Sequence, residues 1–197
     1  MIALLATIFA LSGAAALAFE TVWFHLAGLV FGNGVMASSL VLAGFMAGLA
    51  AGGALVARHA SHLREPLRAY AALELVLGLG GVALAFGLPH LESLLAPLLR
   101  ALETAPGLLE AARFVIAFCL LAIPSAAMGA TLPVLVTGLA QHGTPFGRSL
   151  ALLYGCNTLG AVAGALASEL VSIRVIGVTG TALAAGATNA LVAVLAL

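Results

Sequence analysis

Three carboxylates stand inside long apolar runs of this 197-residue chain: Glu20 between Phe19 and Trp23, Glu74 in Leu73-Glu74-Leu75, and Glu169 in Ser168-Glu169-Leu170. An ionised carboxylate at the centre of a bilayer costs roughly 2.5–3.5 kcal/mol on insertion scales, so such a group is protonated, paired or turned toward a wet cavity. Glu20 and Glu74 therefore read as a cation- or proton-binding pair, with a structural hydrogen bond between helices as the alternative. Tyr154, Asn157 and Thr158 put further polar groups in the middle of another apolar run and join them as candidate substrate-binding residues. His25, five residues after Glu20, is a candidate partner at the helix end, or an interfacial residue. Glu169 and Arg174 are also five apart, a poor fit to the three- or four-residue neighbour rule on one helix. Each then reaches a different helix or a partner protein. Arg113 is a second candidate partner for Glu169, and snorkelling to the interface is the alternative for Arg174.

Other chemistry lacks its residues. The seven anions are all Glu and the seven cations all Arg, so no Asp holds a metal or orients a base. There is no P-loop, no hydrolase triad and no strand–turn–helix glycine fingerprint. Cys119 and Cys156 lie in apolar stretches without a neighbouring Cys or His cluster, which suits packing rather than a metal or disulfide framework. The expectation is a chain with no metal, no cofactor and no enzymatic activity of its own.

Composition says where these residues must sit. The chain is 63% hydrophobic and 7% charged, with zero formal net charge and a mean hydropathy of +1.23. A soluble domain carries about 25% charged residues. The class left is an integral membrane protein, and a nucleic-acid binder, which needs a basic surface, is excluded. Six segments are long enough to cross a hydrocarbon core of about 30 Å: 2–30, 35–57, 69–88, 108–139, 149–173 and 176–196. The first has no cation before Arg58 and runs on past Ala14-Ala15-Ala16, so it reads as a retained helix, not a cleaved signal. The expected fold is all-α, one transmembrane domain over 1–197. Residues 89–107, with leucines at helical spacing and Pro89, Pro97 and Pro106, are expected as short amphipathic helices flat on the outer interface. Arg58, Arg64, Arg68 and Arg148 fall on one side. Arg100, Arg174 and Arg113, balanced by Glu92, Glu103 and Glu110, fall on the other, which puts both termini in the cytoplasm.

Glycines mark where helices approach. Gly44, Gly48 and Gly52 stand four apart on the second segment, and Gly160, Gly164 and Ser168 on the fifth; such stripes let backbones pack closely in lipid. They serve the internal bundle or a second copy. The two stripes, with Phe31-Gly32 and Phe146-Gly147 before them, repeat at an offset of 115–116 residues, or three helices. An odd number of spans makes this a 3+3 inverted repeat, as inside half of a major facilitator fold. Pro124 and Pro133 flank Gly129 in the fourth segment, where each removes a backbone donor. They should bend or break the helix, forming a hinge or cavity wall, with a static kink as the alternative.

Five ordered motifs together resemble the membrane domain of the fused major-facilitator/spermidine-synthase family, the membrane-bound aminopropyltransferase-like proteins. They are Ser12-Gly13-Ala14-Ala15 with Phe19-Glu20 and Trp23; Phe45-Met46-Ala47-Gly48-Leu49-Ala50 with Gly52; Leu73-Glu74-Leu75; Met128-Gly129-Ala130-Thr131-Leu132-Pro133; and Leu153-Tyr154 with Asn157-Thr158-Leu159-Gly160-Ala161 and Gly164. The chain departs from that pattern at His25, where the family has Arg, and at Glu169 and Arg174, aligned with Gly and Pro. The catalytic synthase domain of that family lies outside these residues. The resemblance implies a plasma-membrane (bacterial inner-membrane) protein that binds or moves a small cation such as a polyamine for a soluble synthase-like partner. The alternative is a non-catalytic accessory subunit of a larger membrane complex. In either case a homodimer or larger assembly is expected.

Overall fold

The computed structural model describes residues 2–31, 34–59, 62–141 and 145–197. Gly32 of the first Phe-Gly pair, and the side chains of Glu92 and Phe146, lie outside the described residues. The elements are α1 (Ile2–Phe31), α2 (Val35–His59), α3 (Pro66–Ala101), α4 (Pro106–Gln141), α5 (Phe146–Ala167), a π-helical turn (Ser168–Ser172) and α6 (Ile173–Ala196). No strand occurs among the described residues. Five apolar stretches are long enough to cross a membrane, and the last, Gly147–Ala196, holds both α5 and α6. Backbone groups in hydrocarbon must be satisfied within their own segment, which is why apolar sequence of this kind becomes helix throughout.

Two boundaries differ from the sequence expectation. Residues 89–101 are not separate short helices: α3 runs unbroken through Pro89 and Pro97 to Ala101. At 1.5 Å per residue its 36 residues reach about 54 Å, well beyond one hydrocarbon core. Nor does a loop divide the fifth and sixth segments. The helix widens into the π turn, closed by the Ile173 amide donating to the Ser168 carbonyl, and the chain then bends at Gly177. Gly177 has φ +74° and ψ 174°, a conformation glycine adopts without a Cβ penalty. The chain therefore folds back with no intervening coil.

α1 is the central post. It packs against α5 on one side and against α3 and α6 on the other, while α5 and α6 do not touch each other among the described residues. The broadest contacts are α2 with α4 and α1 with α5. Both glycine stripes lie in these seams. A Cβ on Gly52 would fall on the Ala126 carbonyl and one on Gly48 on the Ser125 hydroxyl; Cβ atoms on Gly160 and Gly164 would fall on the Ala10 and Ala14 carbonyls. Gly44 is looser, with the Phe118 backbone nitrogen 3.2 Å from its Cβ position. The stripes thus serve the internal bundle. Lipid competes for apolar contact, so close backbone approach is what holds such helices together.

α4 also remains one helix despite Pro124 and Pro133. Aromatic packing completes the core around α1. Phe19 stacks on Trp23 at 5.4 Å, Trp23 meets Phe45 edge-on at 6.4 Å, and the Trp23 indole Nε1 donates to the Gly81 carbonyl at 3.3 Å. Gly81 leaves room for the Phe19 ring, which a Cβ would strike. The motif that carried the family resemblance is here a packing motif joining α1 to α3.

Gly52→Ala should lower stability by about 1–3 kcal/mol through overpacking against the Ala126 carbonyl. Gly80→Ala, where a Cβ meets nothing within 4 Å, should leave stability unchanged or raise it by about 0.5–1 kcal/mol. Thermal unfolding in detergent, followed through the sole tryptophan Trp23, checks both.

Candidate functional site

Between α1, α2, α4 and α5 lies a cavity of about 520 Å³. From α1 it is lined by Phe9, Ser12, Ala16, Leu17 and Glu20, a strip at helical spacing about three turns long. Phe45, Met46 and Leu49 come from α2, Leu77 from α3, Met128, Gly129, Thr131 and Leu132 from α4, and Tyr154 and Asn157 from α5. The wall is mostly apolar, with a few polar groups at defined points, the usual make-up of a small-molecule site. Glu20 is half-buried and has no hydrogen bond or ion pair among the described residues. Glu20 is thus the acidic side chain of the cavity lining.

Glu74 sits one layer behind the wall and is fully buried. It does not meet Glu20. The Ser12 hydroxyl donates to Glu74 Oε1 at 2.6 Å, and Ser12 itself lines the cavity. Ser12 therefore joins the cavity to the buried carboxyl. Tyr70, one turn before Glu74 on α3, is also fully buried and is held against Phe9 in an edge-on contact at 6.2 Å. The Tyr70 hydroxyl and Glu74 Oε2 have no hydrogen-bond partner of regular geometry. On α6, Asn189 is buried with both amide atoms unpartnered, and its Cβ lies 3.3 Å from the Cβ position of Gly78. Sequence reasoning did not single out Ser12, Tyr70 or Asn189 as site residues. Ser12 and Tyr70 earn their place only through the α1–α3 register. Asn189 carried a signal, being a primary amide in an apolar run.

The remaining candidates divide. Asn157 is in the wall, its side-chain oxygen close against Gly13, and Tyr154 is at the mouth. Thr158 is exposed and donates to the Tyr154 carbonyl at 2.8 Å, a helix self-bond away from the cavity lining. His25 is exposed, with Nδ1 3.2 Å from the Thr21 carbonyl, so it is not the partner of Glu20. Arg113 pairs with Glu110 at 2.9 Å within α4, and not with Glu169. Together with Arg100 and Glu103 it borders a small polar recess of about 200 Å³ at the end of α1. Gly129 is in the wall, and Pro133 four residues on withholds the amide that would bond its carbonyl. Glu169 and Arg174 are exposed and unpaired. Among the described residues no group of three His, Cys, Asp or Glu side chains could hold a metal.

A second cavity of about 440 Å³, between α3 and α6, is lined by apolar side chains and glycines such as Leu79, Val82, Gly78 and Gly186. It offers a ligand no charge. Fold and site together define an all-helical bundle with apolar helices suited to a bilayer and a mostly apolar cavity lined by Glu20. No protein-family model, curated protein or solved structure matches the chain.

Ser12→Ala leaves a buried carboxyl without its hydrogen bond and should cost about 1–3 kcal/mol of stability. Thr158→Ala, on an exposed face, should change it by less than about 0.5 kcal/mol. Detergent-solubilised unfolding curves of the two variants check the assignment.

Proposed function

We propose that the chain is a membrane domain that binds, and by moving its helix pairs transports, a small elongated polyamine-type cation. The observation that carries this reading is the half-buried, unpaired carboxyl group of Glu20 in a mostly apolar cavity. Such a group favours a cation strongly, because a low-dielectric wall screens it poorly. The shape of the strip adds to this. Glu20 and Ser12 are eight residues apart on α1, roughly 12 Å along the helix at 1.5 Å per residue. Ala16, Leu17 and Leu77 provide apolar wall between them. One ammonium group fits at Glu20, methylenes along the wall, and a second ammonium at the Ser12 hydroxyl. Ser12 accepts from that group while donating to Glu74, so the buried carboxyl acts on the ligand through it. The span suits an extended triamine better than a short diamine. The resemblance to the spermidine-synthase-like membrane family supports the same solute class and a soluble aminopropyltransferase-like consumer.

The arrangement proposed for transport is a 3+3 inverted repeat, half of a major-facilitator-like fold in the plasma membrane with cytoplasmic termini. What supports it is the packing order. Exchanging α1 with α4, α2 with α5 and α3 with α6 turns the α2–α4 contact into α5–α1, α1–α6 into α4–α3, and α1–α2 into α4–α5, all of which occur. The α1–α3 contact has no counterpart, since α4 and α6 do not touch among the described residues. The cavity lies between the two most extensive pairs, where a relative tilt would open it to either side.

Calorimetric titration of spermidine and putrescine into the chain in nanodiscs tests the reading. Spermidine should bind more tightly than putrescine. Glu20→Gln should weaken both by about tenfold or more, as expected for a charge-assisted hydrogen bond worth about 1.5–3 kcal/mol. Ser12→Ala should weaken spermidine alone. Unchanged affinity in Glu20→Gln would reject the reading.

A further inference from the structure

Glu169 and Arg174 remain outside everything described so far. Both are exposed, and neither has an ion pair or hydrogen bond among the described residues. They lie in Gly147–Ala196, the least buried of the apolar stretches, with only 11% of its most apolar window buried. Their depth follows from the α1–α5 seam. Gly164 sits against Ala14, and the two helices run parallel there, so Glu169, five residues on, is near the level of Phe19 and Glu20. Leu166, Leu170, Val171, Val175 and Ile176 around them are each more than half exposed. Glu169 is thus presented outward from an apolar surface at membrane depth, and Arg174 outward three residues before the bend at Gly177. A carboxylate left in lipid at that depth would cost roughly 2.5–3.5 kcal/mol.

The π turn explains their spacing. On a regular α-helix, residues five apart diverge by more than a third of a turn. In a π turn the hydrogen bond runs from i to i+5 and the chain rotates less per residue, so residues five apart across it diverge less than on a regular helix. The bond from the Ile173 amide to the Ser168 carbonyl closes this turn, with Glu169 inside it and Arg174 in the first turn of α6. The turn therefore brings an anion and a cation closer in direction than an α-helix would, and both are exposed.

We propose that this face is the contact with a second copy of the same chain, across a two-fold axis that pairs Glu169 of each copy with Arg174 of the other. A two-fold interface sets residue i against j and j against i, so a patch carrying one charge of each sign is complementary to itself. The exposed leucines, valines and isoleucine supply the apolar surround, and the two reciprocal pairs leave no charge facing lipid. The inference is independent of what the central cavity binds.

The test uses charge reversal in the full chain, with subunits counted by single-molecule photobleaching in lipid nanodiscs. The parent should be a dimer. Glu169→Arg and Arg174→Glu should each weaken association by tenfold or more when present alone, because like charges then oppose. Mixing these two variants should restore dimers, since one copy now presents two cations and the other two anions, and the double variant Glu169→Arg/Arg174→Glu should also dimerise. Rescue by mixing cannot arise from pairing within one chain, and Trp23 fluorescence confirms that each variant is folded. A monomeric parent, single variants that dimerise like the parent, or a mixture that stays monomeric would overturn the proposal.

Discussion

The structure turns on how few polar groups it has and on what hydrocarbon demands of each. With seven carboxylates in 197 residues, a charge inside an apolar helix cannot be spread over a polar surface; it must meet protein, a cavity or a second chain. The three intramembrane glutamates take three different courses. Glu20 turns into a cavity, Glu74 is buried under the Ser12 hydroxyl, and Glu169 faces outward on the π turn, five residues before Arg174. The helices are arranged so that these courses are open, and the glycine stripes are the means. Where Gly52 meets α4, and Gly160 and Gly164 meet α1, backbones touch, while Gly48 makes room for the Ser125 hydroxyl. The same two seams flank the cavity, so the tightest and the loosest packing in the bundle are adjacent.

That adjacency would link stability to the proposed function. A cavity between side chains is held open only if the helices around it are fixed elsewhere. Here the fixing contacts are backbone to backbone, with little room to adjust, while the cavity wall is made of longer side chains such as Met46, Met128 and Leu49 that can repack around a solute. Proline adds to the contrast. Pro133 leaves the Gly129 carbonyl without its helical donor, and that oxygen lies 3.1 Å from the Cβ position of Gly53 in the α2–α4 seam.

Much of the fold was legible in the sequence because the bilayer simplifies the code. Length and hydropathy of each run gave the six helices, and the four-residue spacing of glycines gave the seams. Glu20, Tyr154, Asn157 and Gly129 were legible as cavity residues because polar or small groups in apolar helices rarely have anywhere else to go. What was not legible depends on rotation and register. Thr158 neighbours Asn157 in sequence but lies about 100° around the helix, on the exposed face. Ser12 is an ordinary transmembrane serine until α3 brings Glu74 beside it. Arg113 had a nearer partner, Glu110, at the three-residue spacing that favours such pairs. Pro89 and Pro97 suggested breaks, yet the leucine-rich run around them stays helical. The π turn and the bend at Gly177 had no distinctive signature among 23 glycines.

The central claim is that Glu20 faces a solute-accessible cavity inside the bundle and not lipid or solid packing. Cysteine accessibility tests it most directly. In a background where Cys119 and Cys156 are replaced by Ser, Glu20→Cys and Asn157→Cys should react with a small, water-soluble cationic thiol reagent in proteoliposomes, and Val162→Cys on the exposed face of α5 should not. Spermidine should slow the reaction at positions 20 and 157. Inert thiols at both positions, or the same rate at 162 as at 20, would contradict the account.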